Sequence, residues 1–310
     1  MTVLASGSKG NATIVASRST RLLVDAGLSC RELLRRMALV EEDPAALDAI
    51  LITHEHTDHV SGLSVLARKL GIPVYFTEPT HRAWVRQMTP RTSMTYAQWI
   101  ERVQHEKQAR ADLDIAAAEG GTDPDPEVED SSVAATRRDP TFLPVVEYFQ
   151  PGTKFSVGDL TVSPFTTPHD AADPCGFVFH CAAESVRMAI ATDLGYLPPN
   201  VKSALRGIDV LLLESNHDLD MLKDGPYPWA VKQRVLSRVG HLSNDATAQF
   251  LAGDYDGAAA TIVLGHLSEA NNAPELALLS AEQALHDRGS LIGNRVLLAQ
   301  QSTPLAPICL

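Results

Sequence analysis

The chain has 310 residues, 45% of them hydrophobic, which is enough for one large α/β domain with a full core or two modest ones. With 26 Lys and Arg against 38 Asp and Glu its formal charge is −12, which excludes a general nucleic-acid coat. A polyanionic substrate stays open only where basic residues gather near a site. Cys30, Cys175, Cys181 and Cys309 are scattered without a CxxC pair; they read as free thiols of a reducing compartment, although four cysteines can in principle pair. The opening stretch has neither a basic region nor a long apolar one, and no run is long enough to span a membrane. The expectation is a cytoplasmic protein without a signal peptide or membrane span.

Residues 1–27 read as a strand, a turn and a hairpin, with strands at 12–16 and 21–27. The loop Ser6-Gly7-Ser8-Lys9-Gly10-Asn11 is either an anion-binding nest of backbone amides or an ordinary Gly/Ser turn. Asp25 ends the second hairpin strand, where it can orient a ligand histidine or merely form a turn. A helix at 29–39 has Ser29 as its cap. The apolar run Ala49-Ile50-Leu51-Ile52 reads as a buried strand, followed at once by Thr53-His54-Glu55-His56-Thr57-Asp58-His59. In an extended segment His54 and His56 share a face and can address one ion. Asp58 and His59 open the next helix, to about residue 70, so they point elsewhere and can hold a second ion. Imidazole and carboxylate ligands suit zinc, and also manganese or iron.

A strand at 72–76 completes a β-α-β pattern. Helices at 80–88 and 94–118 follow, and then residues 111–136 carry eight acidic residues and no Lys or Arg. The expected organisation is one domain over 1–310, with an acidic, solvated insertion at about 90–140 that serves as a surface excursion or a regulatory segment. Order returns near 143, with a hairpin over 154–165 turning at Gly158-Asp159. Strands at 176–180, 186–191, 210–213, 261–264 and 295–300 alternate with helices at 198–206, 229–238, 243–252 and 274–286. Apolar strands repeatedly end in metal-competent residues: Asp25, His54 and His56, His169, Asp193, His217 and His266. Sites in α/β folds gather at such strand ends. A lone strand-end histidine is usually a hydrogen-bonded surface residue, but several of them beside one dense cluster indicate a shared centre.

The motif His54-x-His56-x-Asp58-His59, with His169, Asp193 and His266 in that order, resembles the metallo-β-lactamase superfamily. The stretches Ser6–Asn11, Ala191–Tyr196, Glu214–Asp218, Gly225–Trp229, Gly240–Asn244 and His266–Asn272 are similar to those of the YycJ/WalJ family. That resemblance implies a four-layer αβ/βα sandwich and a cytoplasmic 5′-to-3′ exonuclease of duplex DNA linked to DNA repair. It implies two divalent ions, zinc with manganese as the alternative. His54, His56 and His169 would hold one; Asp58, His59 and His266 the other; Asp193 would bridge, with Asp25 behind a ligand. It also makes His241 the proton donor or phosphate-orienting group, with His217 either supporting it or structural, while Asp58 orients the attacking water. The insertion departs from the compact family pattern.

Between Lys223 and Arg238, four cations stand against Asp224 alone, with Tyr227 and Trp229 interleaved. Tyr227, Trp229, Lys232 and Arg234, together with Ser8, Lys9 and Asn11, are candidate substrate contacts. Equally, the aromatics are core and the cations a solvated helix face. The rival functions are a metallohydrolase of a small phosphodiester, thioester or lactone, and a non-catalytic metal-holding scaffold. A homodimer is compatible with the sequence.

Overall fold

The computed structural model describes residues 1–89, 139–288 and 293–310. The expected helix at 94–118 and nearly all of the acidic insertion lie outside the described residues. Residues 1–84 and 143–310 form one compact unit and residues 85–142 a second; both sheets belong to the first.

Thirteen strands among the described residues form two sheets. In the first, β1 (Thr2–Ala5), β2 (Ala12–Ala16) and β3 (Arg21–Val24) pair antiparallel, and β4 (Ala49–Leu51), β5 (Pro73–Phe76) and β6 (Val145–Tyr148) continue in parallel. The second runs from β7 (Phe155–Val157) through β8 (Leu160–Thr166), β9 (Cys175–Cys181) and β10 (Val186–Ala191) antiparallel. It then continues in parallel through β11 (Val210–Glu214), β12 (Thr261–Gly265) and β13 (Arg295–Leu298). Each half thus begins with hairpins and ends in parallel strands joined by helices.

Period-two alternation separates two cores. Phe177, Phe179, Ile190, Leu212 and Val263 meet Val3, Val15, Leu22, Val24 and Leu51 of the first sheet. Their neighbours Val178, Ala189, Ala191, Leu211, Leu213, Ile262 and Leu264 face outward under Phe250, Leu251, Ala277, Ala281 and Leu285. On the first sheet's outer face, Leu23 and Ile50 are buried, as are Leu33 and Met37 of α1 (Cys30–Leu39). The layers run helix, sheet, sheet, helix, the expected α/β sandwich.

Most predicted elements are present, with shifted ends. Ser29 caps α1 by accepting Glu32 N at 3.3 Å. The single helix expected from residue 60 is two, α2 (Thr57–Val60) and α3 (Leu63–Leu70), because Gly62 N donates to Ala26 O instead of continuing the turn. The remaining described α-helices are α4 (Glu78–Met88), α5 (Pro199–Ala204), α6 (Leu219–Asp224), α7 (Trp229–Val235), α8 (Asn244–Gln249) and α9 (Pro274–Asp287). Strand β6 and helix α6 went unforeseen: β6 is a mostly exposed edge strand without alternation, and α6 is too short to show a period. None of the four cysteines is paired. Among the described residues no helix is long and apolar enough to cross a membrane.

Candidate metal centre

The site lies where strands of both sheets end. Asp25 follows β3, His54 to His59 follow β4, His169 follows β8, Asp193 follows β10, Glu214 closes β11 and His266 follows β12. Three of them leave their strands with left-handed backbones: Asp25 at φ 61°, Asp193 at 60° and His266 at 56°. Such a conformation costs on the order of 1 kcal/mol or more for a residue with a side chain, so the surroundings must hold it. At His266 they do: its N–H donates to Ser6 Oγ at 2.7 Å, and its carbonyl accepts Asn216 Nδ2 at 2.7 Å.

Three sets of ligand atoms converge to within 4.8 Å among the described residues: His54, His56 and His169; His54, His59 and Asp193; and Asp193, Glu214, His241 and His266. His54 Nε2 lies 3.1 Å from His56 Nδ1, which lies 3.3 Å from His169 Nε2. On the other side His59 Nε2 is 3.5 Å from Asp58 Oδ2 and 3.5 Å from Asp193 Oδ2, while His266 Nε2 is 4.0 Å from Asp58 Oδ2. Asp193 stands between them. Its Oδ1 faces His169 Nε2 at 3.8 Å, and its Oδ2 faces His266 Nδ1 at 3.3 Å.

These residues fit divalent metal ions. Nitrogen and oxygen ligands about 2.1 Å from a tetrahedral ion stand roughly 3.4 Å apart, close to most of these separations. Three imidazole nitrogens converging at His56 Nδ1 cannot satisfy one another as well as a shared cation does. Asp193 Oδ2 and His266 Nδ1 are buried and have no hydrogen-bond partner, although they lie 3.3 Å apart.

The electrostatics are those of anionic oxygens enclosed with imidazoles. Burial pushes the Asp193 carboxyl up, but His266, His59 and His54 outweigh it and hold it well below the carboxylate range. Burial works against the charged form of His59 too, yet Asp25, Asp193 and Asp58 raise it to about 10; His266, set against Asp193, rises to about 9. His54 has more imidazole than carboxylate around it, and burial, seconded by His59, drives it well below its ordinary value.

Supporting side chains fix the ligands. Asp25 Oδ2 accepts His59 Nδ1 at 2.8 Å, and Asp25 is itself held by Thr53, whose N–H donates at 2.9 Å and whose hydroxyl donates at 2.9 Å. That assigns the proton to Nδ1 and leaves Nε2 to face the centre. His169 Nδ1 faces Gly240 O at 3.2 Å. Glu214, which the sequence reading did not single out, is wholly buried; its Oε1 meets His241 Nδ1 at 2.7 Å and its Oε2 accepts Leu194 N at 2.7 Å. A charged residue closing an apolar strand was its signal. Asn216, also missed, cross-links three loops: its side chain to His266 O, its N–H to Leu242 O, its carbonyl from Ser268 N.

The other candidates are less uniform. His217 is 1% exposed and neither ring nitrogen has a partner, so it makes no bond to His241; burial lowers it to about 4 and keeps it neutral. Of the small-residue loop, Gly7 N is taken by Asn11 Oδ1, Lys9 N by Gln301 Oε1 and Gly10 N by Gly7 O, so these amides are not open to an anion. Asn11 reaches the centre itself, with Nδ2 3.0 Å from His59 Nε2 and 3.3 Å from Asp58 Oδ2. Ser8 is exposed, and Lys9 pairs with Glu269 at 2.5 Å. In the basic strip Lys232 points inward, its Nζ donating to Lys223 O at 2.5 Å, which removes it from any substrate surface. Tyr227 is half-buried, Trp229 is 65% exposed, and Arg234 bonds Asp170 beside His169.

Residues 5–231 match the model of the metallo-beta-lactamase superfamily. The chain is 34% identical over 291 residues to exodeoxyribonuclease YycJ of Bacillus anthracis, covering 94% of this chain and 90% of that one. It is 33% identical over 275 residues to exodeoxyribonuclease WalJ of Streptococcus pneumoniae, covering 89% and 84%. Among solved structures, the metallo-beta-lactamase fold protein YhfI of Bacillus subtilis superposes with a TM-score of 0.61 at 16% identity, over 98% of this chain and 97% of that one. The short form of human tRNase Z does so at 0.56 and 16%, over 99% of both. The fold, the ligand set and these similarities together place the chain in the metallo-β-lactamase superfamily, and within it in the YycJ/WalJ family, as a metal-dependent hydrolase of ester bonds.

Proposed function

We propose that this protein is a two-metal DNA exonuclease, acting 5′-to-3′ on duplex DNA in the cytoplasm in connection with DNA repair. The observation that carries the reading is the division of Asp193, one carboxylate oxygen turned to each ligand group. It is supported by the exodeoxyribonuclease names of the YycJ and WalJ relatives. His54, His56 and His169 would hold one ion, Asp58, His59 and His266 the other, and Asp193 would serve both; zinc would suit the donors best, with manganese as the alternative. When bound, a pair of divalent cations acidifies water and neutralises charge on a phosphate.

The residues supply the rest. Asp58, its side chain 22% exposed, holds and orients the attacking water through the carboxylate that also faces His59. His241 is the general acid. Glu214 accepts from its Nδ1–H and stabilises the imidazolium, which is the acid form; the second proton, on Nε2, passes to the leaving oxygen. Glu214 is a positioning residue: through Leu194 N and His241 it sets the Asp193 loop and the acid in one frame. Metal-loaded protein should release nucleotides from 5′-phosphorylated duplex DNA, the 5′ label leaving first, and Asp193→Ala should abolish this. If metal-loaded wild type leaves DNA, RNA and model phosphodiesters all intact, the nuclease reading is wrong.

A further inference from the structure

The catalytic frame accounts for one phosphate, but a polymer presents several to a protein whose net charge is −12. Binding such a substrate requires cations placed where the strand runs. Two arginines are built into the wall beside His169. Arg234 donates Nε to Asp170 Oδ2, and Asp170 is the residue after His169. Asp170, and after it Asp58, favour the charged guanidinium, whose other nitrogens remain on a largely exposed side chain.

The Arg238 guanidinium sits over the Tyr196 ring, its Cζ 4.4 Å from the ring centre. Among the described residues no carboxylate pairs with it. Tyr196 is three residues after the bridging Asp193. The backbone beneath is stitched to the site: Asp170 N donates to Val239 O at 3.1 Å, and Gly195 N donates to Pro168 O at 2.9 Å. Gly195 packs so closely that a Cβ there would lie 2.2 Å from the carbonyl of Arg238, so the two segments meet only because this residue is glycine. Both guanidinium groups are therefore held in place before any ligand arrives, one by a carboxylate and one by a ring, and each keeps free N–H edges suited to a phosphate.

We propose that Arg234 and Arg238 form a phosphate clamp on this wall, gripping the backbone of the DNA strand that enters the metal centre. The clamp rests on the nuclease reading but acts through binding, and can fail separately. Each arginine makes one phosphate contact, and each contact adds about 0.9 to the slope of log affinity against log salt on duplex DNA.

The test is fluorescence-anisotropy titration of metal-loaded protein with a phosphorothioate-blocked 5′-phosphorylated duplex across a salt series. Arg234→Gln and Arg238→Gln should each flatten the slope by about 0.9, and the double variant by about twice that, with metal content unchanged. Arg18→Gln, which removes an exposed cation paired with Glu184 on the β2–β3 turn, changes net charge equally and should leave the slope alone. Wild-type slopes in both clamp variants, or flattening that appears only when metal is lost, overturn the clamp. A wild type that hydrolyses bis(p-nitrophenyl) phosphate yet shows no salt-dependent DNA binding overturns the nuclease reading itself.

Discussion

Asp25→Asn isolates how the structure sets a ligand atom. Asp25 holds three bonds: Oδ1 accepts Thr53 N at 2.9 Å, while Oδ2 accepts Thr53 Oγ1 at 2.9 Å and His59 Nδ1 at 2.8 Å. Asparagine has the same shape and tolerates the φ of 61° at this position. Its single carbonyl oxygen must stay with Thr53 N, because a buried N–H left without an acceptor costs about 1–3 kcal/mol. The amide NH2 then faces Thr53 Oγ1, which can accept, and His59 Nδ1, which must also accept. The imidazole proton moves to Nε2, the atom 3.5 Å from both Asp58 Oδ2 and Asp193 Oδ2. A ligand nitrogen carrying a proton cannot coordinate. Losing such a support typically costs 10–100-fold in metal affinity, or about 1.4–2.7 kcal/mol. Competition with a chromophoric chelator measures this directly. The metal-free melting temperature should fall as well, because the buried His59 loses the carboxylate opposite its charge, so the diagnostic readout is the gain in melting temperature on adding metal, which shrinks. A folded Asp25→Asn protein that binds metal as tightly as wild type would refute the argument.

The same geometry predicts four further outcomes. His241→Gln or Glu214→Gln should lower kcat about 10²–10⁴-fold on DNA with metal content unchanged, and far less on a p-nitrophenyl ester, whose leaving group needs no proton; equal losses on both substrates would rule out general-acid catalysis. His59 at about 10 and His266 at about 9 hold protons at neutral pH in metal-free protein, burial being outweighed by the carboxylates around them. Metal uptake must expel those protons, so affinity should rise as pH rises from 6 towards 9 and unbuffered uptake should acidify the solution; a flat pH dependence would contradict this. Gly27→Ala would place a Cβ 1.6 Å from Asp58 O, and should cost about 1–3 kcal/mol in denaturant melts as well as activity, because the displaced backbone carries a ligand. Phe177→Ala, at the centre of the core between the sheets, should lower unfolding free energy by about 3–5 kcal/mol while metal binding persists at saturating metal.

Much of the frame was legible because it rests on local rules. Apolar runs marked Val186–Ala191 and Val210–Leu213 as strands, spacing marked α1 and α9 as helices, and four ligands within six residues announced a metal centre. Strand-end placement then gathered His169, Asp193 and His266, since a parallel sheet turns sequence order into proximity at one edge. Lys232 shows where that reasoning stopped. On the chain it is one cation among four, but the fold turns its Nζ back onto Lys223 O. His217 could be read from the sequence as a support of His241 or as a structural residue, and the fold buries both its nitrogens without a partner.

The sequence by itself determined which atoms can bind metal and which residues form each layer, because ligand chemistry and hydrophobic period are carried by individual side chains and their neighbours. Only the tertiary structure decided how those atoms are used. The division of Asp193, the Glu214–His241 pair, the loops tied by Asn216 and the stacking of Arg238 on Tyr196 all join segments tens of residues apart in sequence. Contacts of that kind depend on how two sheets pack and where left-handed residues turn the chain, and no local pattern encodes either.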